Sequence, residues 1–251
     1  MPPEGVRLLR DSFPDRPAFG TAVSRAILGR VAGGELPPTI RLHRPGRELA
    51  FSRQDRGAAG FGRAVAVARG LGFEPVFRLA GGRAAAFHEG TLALAWAWRT
   101  ADPARTTRDR FDVVSATIAA ALRGLGVDAR VGEVPGEYCP GAWSVNARGK
   151  RKLVGIGQRL ISGGAHVGAV IVVTASELLG GVLEPVYEAL ELDWDPATVG
   201  AVEDEVAGVT LDDVEAAIVA ELSQSSELEL APLDAETLAA AQEFATEHRV
   251  D

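Results

Sequence analysis

Hydrophobic positions recur along the chain in two periods. Phe19, Val23, Ile27 and Val31 fall four apart after Asp15-Arg16-Pro17, and Gly33-Gly34 follows. That spacing predicts a helix entered through proline and closed by glycine. A second helix of small residues is predicted from about Asp55 to Arg69, stopping at Gly70. A third is predicted over Arg108–Leu122, with Val113, Ile118 and Leu122 partly on one face. Short apolar or alternating runs predict strands at Ile40–His43, Glu48–Phe51, Pro75–Leu79, Thr91–Trp98 and Val127–Val131. Trp143–Ala147, Lys152–Arg159 and Val167–Val173 read as successive antiparallel strands turned at Arg148-Gly149 and Gly163-Gly164. From Leu178 onward the pattern is mostly acidic helix, clearest at Leu211–Leu222 and Leu233–Phe244. Hairpins with segregated helices predict an α+β fold: a mixed, mostly antiparallel sheet with packed helices.

Composition narrows the picture. With 251 residues, 47% hydrophobic and 24% charged, the chain can bury a full core, so disorder is excluded as its dominant state. Residues 1–173 balance to +11 and residues 174–251 to −19, which together give the net −8. A cationic body would steer an acidic partner, and an acidic end could screen that surface. Dispersed arginines and only 6% aromatics argue against a nucleic-acid binder. No run reaches the ~18 apolar residues of a membrane span. Met1-Pro2-Pro3-Glu4 lacks the basic start and apolar run of a secretion signal, so a cytoplasmic protein is expected.

The rare residues are the informative ones. The only cysteine, Cys139, and the only lysines, Lys150 and Lys152, share one window of the sequence, whereas the other 24 basic residues are arginine. One thiol excludes an internal disulfide and Cys-rich metal sites. His43, His88, His166 and His248 show no metal-ligand spacing, so no metal is expected. Lysine offers a compact ammonium that arginine cannot imitate. Cys139 lies in Pro135-Gly136-Glu137-Tyr138-Cys139-Pro140-Gly141, a composition that presents a residue on a loop. A cation nearby favours the thiolate, the nucleophilic form. Lys152 is positioned to return to the cysteine across a hairpin. Such a pair suits acyl transfer through a thioester, with lysine as base or electrostatic helper and backbone amides of a glycine-rich turn holding the oxyanion. Each element has a plainer reading too. Gly149-Lys150-Arg151-Lys152 alone reads as a solvated basic turn, Gly81-Gly82 as a tight hairpin, His88 as a structural histidine, and most lone cysteines are inert.

Three stretches together resemble a known family: Arg78-x-x-Gly81-Gly82, Phe87-His88-x-Gly90-x-Leu92, and Gly149-Lys150-Arg151-Lys152-Leu153-Val154-Gly155-Ile156-Gly157-Gln158-Arg159. They are similar to the glycine-rich segment and the lysine motif of the biotin/lipoate protein ligase superfamily, over roughly residues 10–190. Within it, Glu137-Tyr138-Cys139-Pro140-Gly141 resembles the catalytic-cysteine loop of octanoyl amidotransferases. The resemblance implies a catalytic domain over 1–195, with 196–251 an acidic helical C-terminal extension. It implies an octanoyl or lipoyl group moved from a carrier protein to a lipoyl-domain lysine through Cys139, with Lys152 in the family's lysine position. Arg78, Gly81, Gly82, His88 and Gly155 would form the substrate site. The implied partners are acidic carrier domains: glycine cleavage H protein, the E2 component of 2-oxoacid dehydrogenases, and acyl carrier protein. No cofactor is implied; ATP and magnesium belong to a second reading, an ATP-dependent lipoate ligase. A third reading is a non-catalytic carrier-binding paralogue. Three departures bear on the choice. Arg83 replaces the ligases' third glycine, His88 stands where the amidotransferases tend to have aspartate, and Arg41-Leu42-His43-Arg44 replaces the ligases' Leu-Arg-x-Trp.

Overall fold

The computed structural model describes residues 5–251. Its main sheet is built from β1 (Gly5–Leu9), β2 (Thr39–His43), β6 (Thr91–Arg99), β7 (Ala129–Val131), β8 (Val145–Ala147), β9 (Arg151–Ile161), β10 (Gly164–Val172) and β11 (Glu227–Leu230). The strand order is β11-β1-β2-β6-β10-β9-β8-β7. β1 pairs in parallel with both β11 and β2; the remaining neighbours are antiparallel. A smaller sheet holds β3 (Glu48–Phe51) between β4 (Glu74–Phe77) and β5 (Ala85–Phe87). The expected α+β class with a mostly antiparallel sheet is the observed one.

Strand alternation sorts the central side chains onto two faces. Ile40, Leu42, Leu92, Leu94, Trp96, Val167, Ala169 and Ile171 form one apolar face. It packs on α4 (Thr107–Gly124) and α6 (Leu211–Ser223) through Val114, Ile118, Val214 and Ile218. The opposite face carries smaller residues, which leave the open space described below. α1 (Pro17–Gly33) begins on Pro17, and Gly34 caps it in the left-handed conformation at φ 81°, donating its amide to Val31.

Three local outcomes differ from the sequence expectation. The predicted helix over 55–69 is two helices, α2 (Arg53–Arg56) and α3 (Phe61–Gly70). Ser52 and Asp55 close a capping box on the first, and the chain at Gly60 runs so close to the Ala189 carbonyl that a Cβ there would overlap it. β1 was not foreseen, because five residues give too little period to read. β11 falls where acidic helix was expected. Its side chains are largely exposed, so backbone pairing with β1, and no burial pattern, defines it.

The acidic C-terminal segment also packs on the body. α7 (Ala235–Phe244) lies against α1, where Ala241 and Ala245 join Phe19, Val23 and Ile27 in one cluster. Arg30 pairs with Asp234, Arg25 with Glu247 at 2.7 Å, Arg10 with Glu215 at 3.2 Å, and Arg148 with Glu205 at 2.6 Å. Several positive charges of the first two thirds are thus met by acids of the last third, and the +11 of the sequence is not a free surface charge.

Candidate active site

The turn at Arg148-Gly149 has φ of 55° and 71°, and the Lys150 amide closes it on the Ala147 carbonyl at 2.9 Å. Two successive positive φ values are those of a hairpin turn whose twist suits antiparallel strands. The hairpin brings Lys152 back beneath residues 137–139 and leaves Lys150 exposed. Lys152 is buried and its Nζ hydrogens are all engaged. They go to Glu137 Oε1 at 2.9 Å, the Tyr138 carbonyl at 2.9 Å and the Cys139 carbonyl at 2.8 Å. Nζ also lies 4.7 Å from the centre of the Tyr138 ring. Glu137 in turn accepts from the Val134 and Gly141 amides and from the Ser144 hydroxyl. The ammonium and carboxylate therefore form a buried pair whose remaining valences are satisfied by the loop itself.

That frame holds Cys139 in the left-handed region, φ 42°, an uncommon place for a side chain other than glycine. Its amide donates to Tyr187 Oη at 2.9 Å, and Oη donates to the Ala84 carbonyl at 2.9 Å. Sγ accepts from the Arg83 amide at 3.1 Å and faces Arg78 Nη1 at 3.8 Å. Arg78 Nη1 also donates to the Arg83 carbonyl at 2.7 Å, so one guanidinium both shapes the 78–83 loop and touches the thiol. Gly82, at φ 115°, lies where a Cβ would sit 2.8 Å from Sγ. Only glycine lets the loop approach the sulfur this closely.

A tunnel of about 100 Å3 leads inward from Cys139. Arg78, Leu79, Ala80, Cys139, Lys152 and Gly155 line its near end. Its floor is the small-residue face of the main sheet. In one row across the strands His43, Ala93, Val170 and Gly155 are register partners; in the next, Arg41, Ala95, Gly168 and Gly157. Beside its mouth, Arg78 and Leu79 also border a groove of about 510 Å3 that includes Arg25, Arg53, Arg56 and Arg159.

Of the expected site residues, Cys139, Lys152, Arg78 and Gly155 meet at the tunnel. Gly82 backs the thiol. Gly81 lies behind it, its amide bonded to the Gln158 carbonyl at 3.2 Å. His88 does not line the tunnel, although Phe87 does. It is buried at the β5–β6 corner, where Nδ1 accepts the Gly90 amide at 3.0 Å, so its placement is that of a structural histidine. Glu137, Tyr187 and the Arg83 amide were not singled out from the sequence. Glu137 stood two residues from the cysteine. Tyr187 lies 48 residues away on α5 (Ser176–Ala189), with no local signal to connect them.

Among the described residues, no group of three or more histidine, cysteine, aspartate or glutamate side chains converges on a metal position. Among the described residues, no helix is long and apolar enough to cross a membrane.

Burial makes one pH dependence calculable. His166 lines the tunnel and burial pushes it down to about 4; burial also holds His43 well below its ordinary value. The unfolded chain binds these protons near pH 6.5 and the folded chain does not, so the contribution of these two histidines to stability is full above that pH and falls as pH drops toward 4. Acidifying from pH 7.5 to 5 is expected to cost about 2 kcal/mol through His166 alone, at ~1.4 kcal/mol per pH unit below 6.5. Glu48, which burial raises to about 8, titrates with the opposite sign, so urea unfolding at the two pH values is compared between the protein and His166→Gln. The protein should lose about 2 kcal/mol more than the variant on acidification, and equal losses would refute it.

A mixed sheet with a thiol-headed tunnel across its small-residue face defines an α+β domain with a candidate ligand site. The comparisons name the family. A family model of the lipoyl protein ligase A/B catalytic domain matches residues 16–223, and the chain belongs to that family. It is similar to octanoyl-[GcvH]:protein N-octanoyltransferases. That of Geobacillus kaustophilus is 26% identical over 155 residues, covering 62% of this chain and 54% of the relative. That of Anoxybacillus flavithermus is 29% identical over 168 residues, covering 67% and 59%. The chain thus matches little more than half the length of these relatives. Among solved structures it resembles a lipoate-protein ligase A bound with ATP, at TM-score 0.78 and 22% identity, covering 97% of this chain and 95% of that one. It also resembles a putative lipoate protein ligase of T. acidophilum with bound lipoic acid, at TM-score 0.75 and 20% identity over 97% and 95%. These likenesses establish the shared fold.

Proposed function

We propose that this protein is a cysteine-dependent acyltransferase of protein lipoylation. It would move an octanoyl-type group from a carrier protein to a lipoyl-domain lysine without ATP. The observation that carries the reading is Cys139 Sγ at the tunnel head, with the Arg83 amide and the Arg78 guanidinium both directed at it. The named octanoyltransferase relatives agree with it.

The chemistry balances in two steps. The Cys139 thiolate attacks the acyl carbonyl of the donor. A C–S bond forms, the donor's C–N or C–S bond breaks, and the leaving amine or thiol takes a proton. The acceptor lysine, as free amine, then attacks the thioester; a C–N bond forms, the C–S bond breaks, the amine loses a proton and the thiolate is restored. Donors near the sulfur stabilise negative charge before and during attack. Lys152 serves by geometry, fixing the 138 and 139 carbonyls. With its hydrogens on Glu137 and those carbonyls, an electrostatic and positioning role fits better than a base. The arginine-lined groove at the mouth suits an acidic carrier domain, whose encounter weakens with salt.

The test is intact-mass measurement of the purified protein after incubation with octanoylated glycine cleavage H protein and no ATP. The expected result is one octanoyl group on Cys139, removed by hydroxylamine and passed on to an added E2 lipoyl domain. Transfer that requires ATP and free acid would establish the ligase reading instead. Carrier binding with neither adduct nor turnover would establish the non-catalytic one.

A further inference from the structure

The far end of the tunnel is polar, which an alkyl chain alone does not explain. Arg41 is fully buried on β2 and lines the cavity. Its Nε donates to the Asp11 carbonyl at 2.9 Å, and Nη1 to the Gly20 carbonyl at 2.8 Å and Ser24 Oγ at 3.3 Å. Nη2 has no hydrogen-bond partner. Among the described residues, no carboxylate lies within ion-pair distance of this guanidinium. His43, Glu48 and His166 line the same cavity. Burial pushes Glu48 up to about 8 against the pull of Arg41, so it and Asp11 offset the guanidinium charge only in part and neither forms an ion pair with it. The Phe13 ring, its centre 5.5 Å from Cζ, meets part of the charge, but Nη2 keeps an unused N–H donor, which is costly when buried.

Length agrees. From β9, which carries Lys152 and Gly155, to β2, which carries Arg41 and His43, there are three sheet steps, or about 14 Å. An extended eight-carbon chain spans about 9–10 Å at ordinary C–C bond lengths. The remainder fits one more polar group between the chain end and β2.

We propose that the tunnel is shaped for a medium-chain acyl group whose far end carries an oxygen acceptor, a hydroxyl or carboxylate, received by Arg41 Nη2 with His43, Glu48 and His166 around it. The inference rests on the acyltransferase reading for the reaction but on the tunnel alone for binding, so binding and loading are measured separately. In the first arm, Cys139→Ser is titrated with free octanoate, 8-hydroxyoctanoate, octanedioate and lipoate, with thermal shift and calorimetry as readouts. One or both oxygenated acids are expected to bind about tenfold more tightly than octanoate, the scale of one hydrogen bond to a charged group. The hydroxy and dicarboxylic arms separate a neutral from an anionic end group. Octanoate or lipoate binding as tightly as both would overturn the proposal. In the second arm, the protein is loaded from the corresponding N-acetylcysteamine thioesters and followed by mass. The same preference is expected in initial rate, and Glu48→Leu together with His43→Leu should narrow it without abolishing it, because Arg41 Nη2 remains. These substitutions leave the Arg41 bonds to Asp11, Gly20 and Ser24 in place, so a failure to fold is not expected to mask the result. Selective binding without any loading would uphold the tunnel's specificity while removing the acyltransferase reading. Loading that favours octanoyl would do the reverse.

Discussion

Replacing Cys139 by serine is expected to reduce acyl transfer on the order of 10^6-fold while leaving the fold intact, the scale seen when an enzyme loses its nucleophile. A serine hydroxyl fits the space of the thiol but remains protonated at neutral pH, and no side-chain base contacts it here. The nearest groups are the Arg83 amide and Arg78, which donate and cannot accept a proton. Tyr187 meets the cysteine only through its backbone amide. The substitution keeps that amide and the φ of 42° unchanged, so the melting temperature should stay close to that of the unaltered protein. Steady-state transfer to a lipoyl domain, with thermal melting on the same samples, gives both readouts. Undiminished transfer by the serine variant would remove the covalent route.

The parts of the fold and site that were legible in the sequence are those encoded locally. The helix over 17–33 declared itself through a four-residue period, a proline start and a glycine stop. The hairpin after Ala147 declared itself through Arg148-Gly149, and with it the return of Lys152 to the cysteine loop. What could not be read is what forms by distant pairing. β11 exists because β1 offers a free edge, and its Glu-Leu-Glu-Leu pattern is too short and too exposed to betray it. Tyr187 reaches the cysteine amide only because α5 packs beside the small sheet. His88 sits away from the tunnel for a related reason. Its motif fixes it next to Phe87, but β5 ends at Phe87, which lines the tunnel, and His88 lies just past it in the corner, where its ring accepts the Gly90 amide.

The charge asymmetry changes meaning in three dimensions. In the sequence it suggests a basic body trailed by an acidic segment. In the fold, Asp234, Glu247, Glu215 and Glu205 each face an arginine of the first two thirds. These pairs lie at the surface with one or both partners only partly exposed, and surface pairs contribute about 0–1 kcal/mol each, so they orient the segment more than they hold it. Apolar packing of α7 on α1 and the parallel pairing of β11 on β1 do that. In the groove beside Arg78, Arg25 is met by Glu247, which also borders it, and Arg53, Arg56 and Arg159 are the arginines left.

Lys152 is expected to tolerate no substitution, including arginine. Three acceptors converge on one Nζ within 2.8–2.9 Å. An ammonium has three hydrogens on one atom to meet them; a guanidinium spreads its donors over a planar fork and is larger. Lys152→Arg should therefore displace the 138 and 139 carbonyls and with them the thiol, lowering transfer on the order of 100-fold or more, the cost of a 1 Å misplacement. Lys152→Met should do so too, and it strands the Glu137 carboxylate without its cation in a buried position. Breaking one half of a buried pair costs about 3–5 kcal/mol. For a domain of this size that corresponds to a melting temperature lower by on the order of 10 °C. Adding Glu137→Gln to Lys152→Met removes the stranded charge and should recover part of the stability but none of the transfer, because the two carbonyls still lack their donor. That split separates the loop-fixing role from a purely electrostatic one. Recovery of both together would assign Lys152 to stability alone, and full transfer by Lys152→Arg would show that the lysine is not needed to hold the cysteine in place.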